Sequence, residues 1–140
     1  MLDGKVTQVT LVVANQARAL EFYTEKVGFE TKADVPLPNG GRWVTVGPKG
    51  QELEFALWEI GSYTDPAQQA WSKRWAPGTS PPIVLRVSDC TAAYEQLRGR
   101  GVEFPQPPQP HAWGTAATFR DPDGNLFSLS QPPSAWPKSP

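Results

Sequence analysis

The sequence predicts an α+β fold in which two βαβββ modules form a curved mixed sheet around a cavity, with the helices on the outside. Two observations predict it. Each half of the chain has a β-branched run leading into a capped amphipathic helix and then three short strands, and the two helices end alike, in "EKVGFE" and "GRGVEF". One such module leaves a concave face uncovered, and pairing two modules, within or between chains, closes that face into a cavity.

Module one is expected at about residues 5–59. "KVTQVTLVVANQ" is rich in β-branched residues and ends at Asn15, which favours a buried strand followed by a helix cap. Ala19, Tyr23 and Val27 then recur every four residues, as is typical of an amphipathic helix, and Gly28 supplies a left-handed stop. Three strands follow, separated by the turn formers "PNGG" and "PKG": "FETKADV", "GRWVTVGP" and "QELEFALWE".

The same order repeats in module two, expected at about residues 81–131, after a connector at 60–80 with one short helix around 68–75. "PPIVLRV" predicts a strand, "SDCTAAYEQLRGRG" a capped helix ending at Gly101, and "VEFPQ" a short strand. Residues 105–113 are expected to form a proline-stiffened loop. "GTAATFR" and "NLFSLSQ" predict a hairpin joined by the structural turn "DPDG", and a proline-rich tail follows at 132–140.

Composition narrows the function classes. The 140 residues fit one domain, and a formal net charge of −1 without blocks of like charge argues against nucleic-acid and anionic-membrane partners. The longest apolar run, at residues 9–14, is broken by Thr10 and is far below the ~20 residues of a membrane span. No signal-peptide segment is expected, and the single cysteine, Cys90, excludes an intrachain disulfide, so a cytoplasmic location is expected.

Four segments of the chain form an ordered set: "VTLVVANQARALEFYTEKVGFE", "LEFALWE", "IVLRVSD" and "WGTAATFRDPDGNLFSL". In this order, over roughly residues 5–131, the chain resembles the vicinal-oxygen-chelate superfamily, which includes glyoxalase I, extradiol dioxygenases and bleomycin-resistance proteins. The superfamily contains enzymes and pure binding proteins, so the resemblance implies a scaffold rather than a reaction.

The resemblance also implies where a metal would bind. Metal-dependent members take ligands from the first and last strand of each module, which places the positions at Gln8, Glu54, Pro82 and Ser128. Gln8 and Glu54 could coordinate, whereas proline has no side-chain donor (a slip to Pro81 would be no better) and Ser128 offers a neutral hydroxyl. Metals of the zinc, nickel or iron class need three or four good protein ligands, so we expect no metal and no cofactor.

Strand alternation assigns the cavity-facing residues. If Gln8 points inward, Thr10 does too, and if Glu54 points inward, Trp58 shares its side. An inward tryptophan beside isolated polar groups suits a planar organic ligand; the alternative is that Trp43 and Trp58 fill the sheet core. The predicted ligand-binding residues are Gln8, Thr10, Trp43, Glu54, Trp58, Arg86, Trp113 and Ser128.

Glu54 is the best candidate for chemistry, because a carboxylate among aromatic side chains should have a raised pKa and act as a base. The alternative is a partly solvated acid paired with Arg86 or Arg42. His111, the one histidine, could serve as an acid or base at the cavity mouth; the alternative is an incidental surface histidine.

The leading functional prediction is a metal-free protein similar to the drug-binding, antibiotic-resistance branch. It would sequester an aromatic or heterocyclic compound without turnover, as a homodimer of the kind that relatives commonly form. The alternative is a lyase, isomerase or dioxygenase-type enzyme with a reduced metal site or acid–base chemistry at Glu54. A regulatory or scaffolding role would be favoured if tryptophan side chains plugged the cavity.

Overall fold

The computed structural model describes residues 2–38, 40–61, 66–72 and 74–134, with only the backbone described at 68, 71 and 72. The chain divides into two compact units, Met1–Ser80 with Pro122–Asn125, and Pro81–Asp121 with Leu126–Pro140. Each unit contains a four-stranded mixed sheet. The predicted α+β class and the repeated order of strand, helix and three strands are therefore confirmed. The end of the predicted tail, from 135 onward, lies outside the described residues.

The first unit holds one sheet, one main helix and the short connector helix. Its strands follow the order β1-β4-β3-β2, with β1 parallel to β4 and the other neighbours antiparallel. The connector helix begins two residues before its predicted start. The elements of this unit are β1 (Gln8–Val13), α1 (Gln16–Glu21), a π-helical continuation (Phe22–Val27), β2 (Glu30–Pro36), β3 (Arg42–Gly47), β4 (Glu54–Glu59) and α2 (Pro66–Ser72).

Helix α1 has the predicted cap and stop. The Asn15 side chain accepts a hydrogen bond from the Arg18 N–H at 2.9 Å, and Gly28 closes the segment with φ of 88°. The sequence did not predict that the second half would be π-helical. The wider π turn brings the adjacent Phe22 and Tyr23 to the buried side together, at 6% and 0% exposure.

The second unit repeats the pattern with strand order β5-β8-β7-β6. Its helix is capped by Asp89, whose side chain accepts a hydrogen bond from the Ala92 N–H at 2.9 Å. Cys90 follows the cap and is buried, and burial raises the pKa of its thiol. The elements are β5 (Ile83–Arg86), α3 (Cys90–Gly99), β6 (Glu103–His111), β7 (Gly114–Arg120) and β8 (Leu126–Gln131).

The predicted loop at residues 105–113 is wrong, because β6 extends through most of it to His111. This strand lies at the edge of its sheet and pairs only with β7 in the described structure. Its register shifts twice, between Glu103 and Gln106 and between Gln106 and Gln109. Proline has no backbone N–H donor. On the outer side of an edge strand no neighbouring strand pairs with the backbone, so prolines and bulges there cost the sheet no hydrogen bond.

Aromatic side chains stack in both units. In the first unit residues 55–58 of β4 are all buried, so burial does not alternate along this strand as predicted. Tyr23, Phe29 and Phe55 stack with 5.9 Å between successive ring centroids. In the second, Phe119 stacks on Phe127 at 5.1 Å. Aromatic pairs at these separations add to the stability that burial gives. Among the described residues, no helix combines the length and apolar character needed to cross a bilayer.

The "DPDG" turn does more than join β7 to β8. The Asp123 carboxylate accepts hydrogen bonds from the Ala14 N–H at 3.1 Å and from Arg18 Nη2 at 2.8 Å. The Asn125 side chain donates to the Val12 carbonyl at 3.2 Å. These contacts satisfy backbone groups where β1 ends and α1 begins, so the turn belongs structurally to the first unit.

We expect Asp123→Ala to lower the free energy of unfolding by about 1–3 kcal/mol, because it removes the acceptor for a backbone N–H from a carboxylate that is only 3% exposed. The ion pair between Asp123 and the half-exposed Arg18 contributes little to the free energy of unfolding. Urea unfolding checks this, with Asp123→Asn as the matched control that keeps the acceptor oxygen. Equal urea midpoints for Asp123→Ala and the parent chain would show that the turn does not anchor the β1–α1 junction.

Candidate functional site

The candidate site lies on the face of the first sheet opposite to the one that packs on α1, here called the helix-free face. Strands β1 and β4 run parallel, and their register sets Gln8 beside Glu54 and Val12 beside Trp58. Gln8 is exposed and Glu54 is half-buried. The helix-free face therefore has a polar end and an apolar end.

At the polar end, a threonine holds the carboxylate. Thr45 Oγ1 donates a hydrogen bond to Glu54 Oε2 at 2.9 Å, and Thr45 itself is fully buried. Arg42, a predicted alternative partner for Glu54, instead pairs with Asp34. A fixed carboxylate next to the Gln8 amide offers a ligand both acceptors and donors in a set geometry.

At the apolar end, Trp58 is 8% exposed and clusters with Val12, while Leu37 and Ile60 pack against the pair. This burial favours the alternative in which Trp58 fills the sheet core, since a covered ring offers a ligand little surface for stacking. Trp43 on β3 is half-buried and stays the better candidate for an apolar contact.

The other predicted ligand-binding residues lie in the second unit. Ser128 on β8 is half-buried and Arg86 on β5 is exposed. The register of β5 and β8 pairs Ser128 with Val84, whereas Pro82 precedes the strand. The residue beside Ser128 in the sheet is therefore Val84, which is 66% exposed.

The donor set does not fit a transition-metal site. The first unit supplies only an amide and a carboxylate, at Gln8 and Glu54. Within the part of the chain that the structure describes, no three His, Cys, Asp or Glu side chains gather as a metal site would require. Zinc, nickel and iron sites rely on three or four stronger ligands.

His111 and Trp113 form a pair that the sequence did not predict. Their rings stack in parallel, with centroids 4.5 Å apart, at the hairpin between β6 and β7. Both side chains are exposed. In the sequence, His111 and Trp113 are two residues apart at a tight turn, and this spacing could have predicted the stack. The stack gives His111 an aromatic neighbour.

Residues 5–129 match the Glyoxalase/Bleomycin resistance protein/Dioxygenase superfamily. The chain belongs to this superfamily. A relative described as uncharacterized protein YetH, from Bacillus subtilis (strain 168), is 33% identical over 127 residues, which cover 91% of this chain and 98% of that protein. The family-level resemblance of the sequence is thus confirmed.

Two solved structures are similar to this chain in both sequence and fold. The crystal structure of UcmS2 is 39% identical, covers 92% of this chain and 98% of its own, and gives a TM-score of 0.78. TnmS3, described as an antibiotic binding protein from Streptomyces sp. CB03234, is 35% identical with a TM-score of 0.77, over 94% of this chain and 98% of its own.

We expect Thr45→Val to lower the free energy of unfolding by about 1 kcal/mol, since it deletes the hydroxyl that bonds to Glu54 while keeping the side-chain shape. Thermal unfolding at neutral pH measures the change. Thr10→Val, on the exposed part of the same face, is the control and should change stability by less. A larger loss from Thr10→Val would argue against a structural role for the Thr45–Glu54 hydrogen bond.

Proposed function

We propose that this protein binds and sequesters a small aromatic or heterocyclic compound, without a metal and without turnover. The observation that carries the proposal is the side-by-side placement of Gln8 and Glu54 on the helix-free face, with the carboxylate fixed by Thr45. Small-molecule sites commonly combine apolar area with a few placed polar groups of this kind.

The expected role of each residue in ligand binding follows from the chemistry of its side chain. Glu54 accepts hydrogen bonds from donor groups at the edge of the ligand, and the Gln8 amide both donates and accepts. Trp43 supplies apolar surface for a planar ring. The description of TnmS3 as an antibiotic binding protein supports an antibiotic-like compound as the ligand class.

The second unit offers groups of the same kind on its own sheet. Arg86 is paired in register with Ser130, and Ser128 lies opposite Thr118 on the neighbouring strand. A guanidinium with several hydroxyl groups suits hydrogen bonding to carbonyl or phenol oxygens. These residues, with Trp113, are part of the proposed ligand-binding set.

The metal-free character of the proposal rests on the donor set, because an amide, one carboxylate and one hydroxyl are poor ligands for zinc, nickel or iron. The protein is proposed to act in the cytoplasm as a homodimer, in keeping with the superfamily resemblance. Light scattering of the purified chain tests the dimer.

One observation favours a second candidate. Gln8 and Glu54 lie next to each other in register, so they could form a reduced metal site completed by water or substrate, or Glu54 could act alone as a base. The protein would then be a lyase, isomerase or dioxygenase-type enzyme of the superfamily. Metal content separates the metal-dependent form of this candidate from sequestration.

Incubation of tag-free protein with nickel, zinc, manganese or ferrous iron, followed by desalting and mass spectrometry, should leave far less than one ion per chain. The reason is that two adjacent protein ligands hold such ions weakly. One retained ion per chain that is lost in Glu54→Ala would contradict metal-free sequestration and support the enzyme.

Ligand binding is measured by tryptophan fluorescence during titration with a panel of planar aromatic antibiotics, with each compound recovered and checked for chemical change. Glu54→Gln should weaken binding about tenfold, because a hydrogen bond to a charged group contributes about 1.5–3 kcal/mol. Glu52→Gln is the matched control, since Glu52 is exposed and pairs with Lys5. Unchanged affinity in Glu54→Gln would contradict the assigned site, and altered compound would support the enzyme.

A further inference from the structure

A cavity of about 210 Å³ lies on the α1 side of the first sheet, away from the helix-free face. It is bounded by the first turns of α1 and by strands β2 and β3. A cavity of about 150 Å³ with apolar walls can hold benzene, so this volume suits one aromatic ring with a short polar arm. The lining residues are Gln16, Ala17, Leu20, Asp34, Arg42 and Val44.

The walls of this cavity are apolar on two sides. Ala17 and Leu20 belong to α1, and Val44, which is 2% exposed, belongs to β3. Such walls favour the entry of an apolar ring, because its transfer from water stabilises the complex by about 25 cal/mol for each Å² buried.

A buried amide defines the polar end of the cavity. Gln16 is 6% exposed, and its Nε2 donates to the carbonyl oxygens of Arg42 and Leu57, each at 2.8 Å. These two bonds fix the orientation of the amide. None of the hydrogen bonds found within the described ranges uses its oxygen, which can therefore accept a hydrogen bond from a ligand.

A second acceptor stands at the rim. Asp34 pairs with Arg42 Nε, and their side chains are 28% and 60% exposed. This hydrogen bond lowers the pKa of Asp34, so its carboxyl group carries a negative charge at neutral pH. Arg42 also lines the cavity, but its side chain is more than half exposed, so water screens its positive charge.

We infer that this cavity is a second small-molecule site, selective for a single-ring compound with a protonated amine on a short arm. The ring lies between α1 and Val44, and the ammonium group donates hydrogen bonds to the amide oxygen of Gln16 and to the Asp34 carboxylate. Lysine-like ammonium groups have three donors and no acceptor, which matches two acceptors better than a carboxylate ligand does.

The two proposed sites lie on opposite faces of β3. Val44 lines the cavity, whereas the next residue, Thr45, bonds to Glu54 on the helix-free face. A ligand in the cavity therefore has no direct contact with Glu54. The second site can be tested independently of the proposed sequestration.

Benzylamine is the probe for the second site, and the full chain labelled with ¹⁵N is titrated at pH 7 by NMR. Binding should shift the amide signals of residues 16–20 and 42–44 more than those of residues 8–10 and 54–56. Phenylacetate, which carries the opposite charge, should bind at least fivefold more weakly. Equal binding of the two probes, or no shift with benzylamine, would overturn the inference.

Two variants locate the probe. Ala17→Leu adds volume at an exposed helix position and should weaken benzylamine binding at least tenfold, while Ala17→Ser, its size-matched control, should leave it nearly unchanged. Asp34→Asn should weaken binding severalfold through loss of charge. The dispersion of the amide signals shows that each variant is folded, and unchanged affinity in Ala17→Leu would place the probe elsewhere and refute the site.

Discussion

The anchoring of the β1–α1 junction by Asp123 and Asn125 is the interaction on which the rest of the first unit depends. The carboxylate satisfies the Ala14 N–H where the strand ends, and the asparagine amide satisfies the carbonyl of Val12. Both side chains are nearly inaccessible to water, and the bond from Asn125 to Val12 is buried, where an unmade hydrogen bond is costly. A strand held at its end keeps one register with its neighbour, and that register sets Gln8 beside Glu54.

One sheet then presents two chemically different sides. On β1, Leu11 and Val13 are fully buried, whereas Gln8 and Thr10 are exposed. The same alternation on β3 gives Val44 to the cavity beside α1 and Thr45 to the carboxylate. Because strand side chains alternate with a period of two, neighbouring residues face the two proposed sites on opposite sides of the sheet.

Sequence reasoning succeeded where a feature depends on local periodicity. The β-branched and apolar runs predicted strands β1 and β4, and Asn15 and Gly28 predicted the limits of the first helical segment. It failed where tertiary contacts determine the structure. The prolines of β6 indicate a loop unless it is known that the strand lies at the edge of its sheet. The pairing of Ser128 with Val84 depends on register between distant strands, and the cavity at Gln16 depends on packing, so neither leaves a periodic signal.

The proline-rich edge strand has a consequence for how much of this protein a cell can hold. Exposed edges of sheets recruit further strands and lead to aggregation, and β6 counters this by lacking N–H donors at positions 105, 107, 108 and 110. A protein that sequesters its ligand without converting it neutralises one molecule per site and must accumulate to match the dose. For the proposed sequestration, solubility at high concentration would matter as much as affinity, and the prolines at the edge of the second sheet favour that solubility.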